Sequence, residues 1–160
     1  TILADETAAL TRIARVDPDG SVHVAAEGVR FPNGMVLLDN GRTLVVAETL
    51  RLQLTAYDVA EDGTLSNPRV WASTAPQMAA PDGIAADPEG GIWVATALQP
   101  KVIRYAEGGE VTGEVETSQI AYAVELGGSD GRTLFAMTAP SSEPSVVDGQ
   151  SLGKIEIATV

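Results

Sequence analysis

Two five-residue stretches, Phe31-Pro32-Asn33-Gly34-Met35 and Ala80-Pro81-Asp82-Gly83-Ile84, share the pattern Pro-x-Gly followed by apolar residues. In both stretches the residue between Pro and Gly carries an oxygen in its side chain. The two stretches are roughly 50 positions apart, which is within the range of periods found in repeat proteins. Each is predicted to form a turn that opens a β-strand, so the pair indicates an internal structural repeat.

The segments around these stretches support the repeat. Residues 39–47, 87–95 and 129–137 align on one template, an Asp/Gly-rich turn followed by a strand of apolar residues. Short runs of Val, Ile, Leu, Thr and Tyr alternate with further turns, and no long helical pattern appears. The template predicts four strands in each unit of roughly 40–50 residues, which is typical of the blades of a β-propeller.

The length of the chain sets a limit on this fold. At roughly 45 residues a blade, 160 residues hold about three and a half blades, whereas propellers close with about four to eight. We expect residues 11–26 to form only the outer hairpin of a blade. Residues 1–160 are therefore predicted to be one partial propeller domain, with no second domain. Its ring would need missing N-terminal blades or a second chain to close.

Composition narrows the classes of partner. Hydrophobic residues make up 44% of the chain, and 22 acidic against 10 basic residues give a net charge of −12. This charge repels phosphate backbones and argues against nucleic acid. The absence of Cys excludes disulfides, thiolate metal sites and a cysteine nucleophile. The sequence shows no long apolar run and no signal-like start, so we expect no membrane contact and a cytoplasmic location.

The polar residues of the repeats predict a site. Because Asn33 and Asp82 precede equivalent inner strands, we expect both side chains to point into one central channel and to bind a metal ion. Loops carrying Glu48 and Thr96, and the long loop 139–153, are expected to reach the same face. Glu48 and Thr96 are predicted to lie on a substrate-binding rim, with a solvated surface charge as the alternative for Glu48.

Simpler interpretations stay open for several of these residues. Asn and Asp are ordinary turn residues, although two copies in register favour a function. The third repeat has residues 117–122, which include Tyr122, in place of the Pro-x-Gly pattern. The single histidine, His23, is expected on an outer hairpin, so a Ser-His-Asp triad does not compete. Trp71 and Trp93 are expected to pack between blades.

Several motifs together resemble a known family. They are residues 31–35, 41–49, 63–67, 81–84, 91–95, 126–128 and 131–135. Each motif is weak by itself, but their order and spacing resemble the gluconolactonase/regucalcin (senescence marker protein) family, especially its bacterial members. The resemblance extends from about Thr11 to the end of the chain.

The resemblance implies a six-bladed all-β propeller that hydrolyses sugar lactones or related cyclic esters. It implies one divalent cation in the channel, calcium first, with zinc, magnesium or manganese as alternatives. The family's metal-binding asparagine and aspartate correspond to Asn33 and Asp82, and that aspartate is also the proposed general base. The third protein ligand, a glutamate, is expected outside this chain. A non-catalytic cation-binding propeller and an inactive truncated fragment are the alternative hypotheses.

Overall fold

The computed structural model describes residues 10–160, and strands account for most of them. The strands are β1 (Thr11–Val16), β2 (Val22–Val29), β3 (Pro32–Leu38), β4 (Thr43–Glu48), β5 (Gln53–Val59), β6 (Leu65–Ser73), β7 (Pro81–Ala86), β8 (Ile92–Thr96), β9 (Lys101–Tyr105), β10 (Val111–Glu116), β11 (Ile120–Gly127), β12 (Thr133–Ala139) and β13 (Lys154–Thr159). One short α-helix, α1 (Pro144–Val147), lies in the loop between β12 and β13, and single 3₁₀ turns occur at Asp39–Gly41, Thr49–Arg51 and Ala75–Gln77. The prediction of an all-β chain is confirmed.

Within residues 10–160 the strands form four antiparallel sheets, in which neighbours in sequence are neighbours in space. They are the hairpin β1–β2, the four-stranded sheets β3–β6 and β7–β10, and the three-stranded sheet β11–β13. Consecutive strands joined by short turns keep each repeat in one sheet. The arrangement agrees with part of a propeller of about three and a half blades, whereas a complete count of six stays a prediction.

The first strand of each larger sheet lies next to the first strand of the next. These inner strands, β3, β7 and β11, contact one another in that order. A Cβ atom added to Gly34 would lie 2.6 Å from the carbonyl oxygen of Asp82, and one added to Gly83 would lie 2.7 Å from the Cα of Ala123. Both glycines are required because a side chain would force the inner strands apart.

The core consists of layers between adjacent sheets. Trp71 packs between the sheets β3–β6 and β7–β10, with Leu54 and Tyr105 in the same cluster. Trp93 packs between the sheets β7–β10 and β11–β13, with Leu134 on the facing side. Both tryptophans are almost fully buried, which confirms their predicted role. Full burial of each large apolar side chain contributes about 1.5–3 kcal/mol, so these layers hold the sheets together.

The sheet β11–β13 uses only one face in this way. By the repeat alignment, Phe135 stands where Val45 and Trp93 stand in the two preceding sheets, and it is less buried than either. Farther out on the same face, Ile155 and Ile157 of β13 are each 70% exposed. This surface, called here the free face, is the equivalent of a surface that is covered in both other sheets.

Candidate metal and catalytic site at the inner strands

The Pro-x-Gly stretches lie inside strands, which corrects the prediction that each is a turn preceding a strand. In β3, Pro32 pairs with Glu48, but the pairing shifts by one residue before Met35 meets Val46. The same shift occurs in β7, between Pro81 and Ile84. A one-residue bulge re-aims the side chain at the irregular position. Asn33 and Asp82 therefore occupy equivalent bulges.

The bulges bring these two residues together. Both are half-buried, and the Asn33 side chain is close enough to the Asp82 carboxylate to lower its pKa by hydrogen bonding. Partial burial raises the pKa of Asp82 above its ordinary value, and the bond with Asn33 opposes part of that increase. A carboxylate loses hydration when it is buried, so its charged form is disfavoured unless a cation or several donors replace the water.

The donor types at these bulges suit a hard divalent cation. Such ions prefer carboxylate, amide and water oxygens, and both bulge residues offer an oxygen. Among residues 10–160, however, no group of three or more His, Cys, Asp or Glu side chains could hold a metal ion. The described part of the chain therefore offers two neighbouring oxygen ligands, which is less than the six to eight of a typical calcium site.

Glu48 is fully buried, which is opposite to the exposed rim position predicted for it. Its carboxylate accepts hydrogen bonds from the Arg30 backbone N–H at 2.6 Å and from the Thr55 hydroxyl at 2.6 Å. It also forms an ion pair with Arg51 at 2.9 Å. A buried carboxylate is tolerated when donors and a cation surround it in this way. Glu48 fixes the turn after β4 and does not face solvent.

Thr96, for which a position on the substrate-binding rim was predicted, is likewise fully buried. Its hydroxyl lies 2.7 Å from the carbonyl oxygen of Lys101 and 3.1 Å from that of Gln99, to which it donates. The residue closes the loop between β8 and β9. Its polarity in the sequence reflects this local hydrogen bonding, a common use of threonine near turns.

Two contributions near the bulges are not apparent from the sequence. The Thr49 hydroxyl donates to the carbonyl oxygen of Pro81 at 2.7 Å, and this buried bond joins two sheets next to Asp82. Tyr122 occupies a third bulge, because the pairing of β11 with β12 shifts between Ala121 and Ala123. The only signal for Tyr122 in the sequence was its position in the repeat, since Pro and Gly are missing there.

Catalytic residue types also come together away from the bulges. On the hairpin β1–β2, Nε2 of His23 lies 3.1 Å from the Ser21 hydroxyl and 3.2 Å from the Asp17 carboxylate. Both contacts use the same ring nitrogen, whereas a catalytic triad uses one nitrogen for each partner. His23 is also half exposed, so this is a surface hydrogen-bond group, as the predicted hairpin position implied.

Comparison with protein families identifies the family of this chain. The family described as the SMP-30/Gluconolactonase/LRE-like region matches residues 3–140. This chain belongs to that family. The match covers most of the sequence, including both Pro-x-Gly stretches, and it confirms the family predicted from the motifs.

Individual relatives extend the comparison. The chain is 30% identical to pentonolactonase XacC of Haloferax volcanii over 131 residues, which cover 80% of this chain and 45% of that protein. A gluconolactonase of Xanthomonas campestris has a TM-score of 0.67 and 26% identity, over 81% of this chain and 42% of that one. Regucalcin from Agrobacterium tumefaciens, described as a calcium-binding protein, has a TM-score of 0.76 and 20% identity, over 92% and 52%.

These figures limit what the matches show about this chain. The regucalcin match supports the fold alone because its sequence identity is low. The chain spans about half the length of the relatives it matches. Among residues 10–160 of this chain, no helix is long and apolar enough to cross a bilayer.

Proposed function

We propose that the protein hydrolyses lactones, the cyclic esters of sugar acids, at the site formed by Asn33 and Asp82. The observation that carries the proposal is the half-buried Asp82 carboxylate, whose pKa is raised and which is held beside an amide at equivalent strand bulges. Relatives named as a pentonolactonase and a gluconolactonase support this substrate class.

Asp82 is the proposed general base. An attacking water gives a proton to the carboxylate as its oxygen bonds to the lactone carbonyl carbon. The bond between that carbon and the ring oxygen then breaks, the leaving ring oxygen takes the proton from the Asp82 carboxyl group, and the product is an open hydroxy acid. A carboxylate within hydrogen-bond reach of the attacking water can accept its proton, and the strand bulge beside Asn33 fixes the position of this one.

We propose that the Asn33 and Asp82 side-chain oxygens hold one divalent cation. Calcium is the first expectation, since both ligands are hard oxygens and the chain has no Cys and a single His. A cation bound here would polarise the lactone carbonyl. Remaining ligands would come from water or from parts of the protein outside residues 10–160. Zinc, magnesium and manganese are the alternatives that the experiment distinguishes.

A panel of γ- and δ-lactones of sugar acids tests this function, with hydrolysis followed by pH-stat. Each substrate is assayed after chelation and after return of calcium, zinc, magnesium or manganese. We expect hydrolysis that chelation abolishes and one of the metals restores. Cation binding without turnover of any lactone would favour the alternative, a non-catalytic cation-binding propeller, and the absence of both would favour an inactive fragment.

We further propose that other blades of the same ring cover the free face. Equivalent surfaces are buried in both preceding sheets, and the named relatives are about twice as long as this chain. Exposed Ile155 and Ile157 give this surface an apolar character that favours association with another apolar surface. A polypeptide of this sequence alone should therefore associate in light-scattering experiments, and Ile155→Lys with Ile157→Lys should reduce that association. A well-folded monomer would contradict the proposal. A cytoplasmic location stays a prediction.

A further inference from the structure

The third inner strand carries a bulge at the same place as the first two. In β3, β7 and β11 the last regular pairs before the shift are Pro32 with Glu48, Pro81 with Thr96, and Ala121 with Thr138. The residue after each of these pairs is Asn33, Asp82 or Tyr122. Three equivalent positions therefore hold an amide, a carboxylate and a phenol.

Tyr122 lies on β11, the inner strand next to β7, which carries Asp82; Asn33 lies on β3, on the other side of β7. Inner strands β7 and β11 approach so closely that a Cβ on Gly83 would lie 3.1 Å from the Tyr122 carbonyl oxygen. The step from β3 to β7 is equally short, and across it the Asn33 side chain reaches the Asp82 carboxylate. The three bulge residues thus follow one another along one end of the inner strands, with Asp82 in the middle.

The Tyr122 bulge borders a cavity. Tyr122 is half-buried and lines one end of this open cavity of about 400 Å³, together with Met137, Lys154 and Ile155. Ile155 belongs to the free face, so another blade covering that face would form the opposite wall of the cavity. This cavity lies at the bulge end of β11, because Thr138, which also lines it, pairs with Ala121 next to the bulge. The cavity therefore opens beside the bulge and is not at the opposite, turn-bearing end of the strands.

A phenol suits a different task from its two neighbours. A neutral phenol is a poorer ligand for a hard divalent cation than a carboxylate or an amide oxygen. Its hydroxyl donates one hydrogen bond and accepts others, and its ring offers an apolar surface. These properties match a hydroxylated ring, which has polar edges and less polar faces.

We propose that Tyr122 is a substrate-binding residue of the Asn33 and Asp82 site. Its hydroxyl hydrogen-bonds to a hydroxyl group of the lactone, and its ring contacts the sugar-acid ring while Asp82 acts at the carbonyl. The proposal rests on the proposed function and makes it more specific: the preferred substrates are lactones with free ring hydroxyls, as opposed to unsubstituted lactones.

The test compares Tyr122→Phe with the unchanged protein at its natural length. Calorimetry measures the Kd of a hydroxylated δ-lactam, which keeps the shape of the lactone but resists hydrolysis, and of calcium. We expect Tyr122→Phe to raise the lactam Kd and the KM for hydroxylated lactones about 3- to 10-fold, the effect of one lost hydrogen bond. The calcium Kd, the melting temperature and the KM for unsubstituted δ-valerolactone should not change.

Two controls separate this proposal from the proposed function. Tyr57→Phe removes the hydroxyl of a tyrosine buried near the β1–β2 hairpin and should leave every one of these values unchanged. Tyr122→Phe is also made in a protein that Asp82→Asn has inactivated, and the lactam Kd is compared with and without Tyr122→Phe. An unchanged lactam Kd would overturn the role of Tyr122 and leave the proposed function standing. Failure of the unchanged protein to bind the lactam or hydrolyse any lactone would overturn both proposals.

Discussion

The two ends of strand β7 carry aspartates in contrasting environments. Asp87, in the turn after β7, accepts hydrogen bonds from Arg104 at 2.6 and 3.0 Å and from the backbone N–H groups of Glu89 and Gly91 at 3.0 Å each. Asp82, at the inner-strand bulge, has the Asn33 amide as the side-chain partner that acts on its pKa. The same residue type therefore has its hydrogen-bonding capacity filled at one end and largely available at the other.

The pKa values of these aspartates move in opposite directions. Burial tends to raise the pKa of Asp87, but its bonds with Arg104 and with the Gly91 backbone outweigh this effect and lower it. For Asp82 burial prevails, and the pKa is raised. The difference shows that a carboxylate surrounded by donors stabilises the fold, whereas one that is desolvated with few donors retains the capacity to bind a cation or a proton.

The cavities of the protein show the same contrast. A cavity of about 900 Å³ lies between the sheets β3–β6 and β7–β10, next to Asp87, Arg104 and Trp71. It is larger than the cavity beside Tyr122, but two of its charged groups, Asp87 and Arg104, are already paired with each other. Chemical availability, more than size, therefore identifies the site.

Replacing the available carboxylate should have the largest effect. Asp82→Asn should preserve the fold, because Asn33 already occupies the equivalent bulge. Loss of the general base should reduce lactone hydrolysis about 10²–10⁴-fold, and loss of one negative charge should weaken calcium binding. Initial rates by pH-stat and calcium affinity by calorimetry measure the two effects. A variant with unchanged rate and affinity would reduce the two Pro-x-Gly stretches to structural features.

Replacing the paired carboxylate should affect stability and not chemistry. Asp87→Ala leaves Arg104 and two backbone N–H groups without their acceptor, so the free energy of unfolding should fall by about 1–3 kcal/mol. Urea denaturation measures this loss, and turnover should stay normal where the variant is folded. Glu89→Ala is the matched control: Glu89 is 74% exposed and lies 3.5 Å from Arg104, and its removal should cost less than about 0.5 kcal/mol. A loss of turnover in folded Asp87→Ala would place Asp87 in the site.

Adding a second carboxylate at the site should sharpen the contrast between the bulges. Asn33→Asp puts a negative charge beside Asp82, so calcium should bind about tenfold more tightly, as ligand charge generally tunes such sites. In calcium-free protein the repulsion should raise the pKa of Asp82 further. Calorimetry and the acid limb of the rate profile report these changes. Weaker calcium binding by this variant would show that the two side chains do not share an ion.

The smallest expected effect is on the pH dependence of folding stability in the absence of added metal. Because the pKa of Asp82 is raised in the folded state, the folded protein binds a proton at Asp82 more tightly than the unfolded chain does. Its contribution is fully present below about pH 4, the unfolded pKa, and is lost as the pH rises through the folded pKa. Urea midpoints with chelator should therefore show Asp82→Asn gaining stability relative to the unchanged protein over this range. A difference that is constant with pH would contradict the raised pKa.

The sequence alone determined most of the strands, the Asp/Gly-rich turns between them and the family, but not the bulges at the Pro-x-Gly stretches. Alternation along a strand has a period of two residues and depends on neighbours in the chain, so a single sequence displays it. The three aligned segments 39–47, 87–95 and 129–137 fall on β4, β8 and β12 with their preceding turns. The pairing of Asn33 with Asp82 was also predictable, because repetition places equivalent residues in equivalent positions.

Only the tertiary structure decided how each polar residue is used. Glu48 and Thr96 look like rim residues in the sequence, but packing places them in the interior, where local donors and acceptors satisfy them. Tyr122 lacks the Pro-x-Gly signature, and only the pairing register of β11 with β12 places it in the same series as Asn33 and Asp82. Burial and proximity arise from contacts between sheets whose residues are far apart in the chain, and no local pattern encodes those distances.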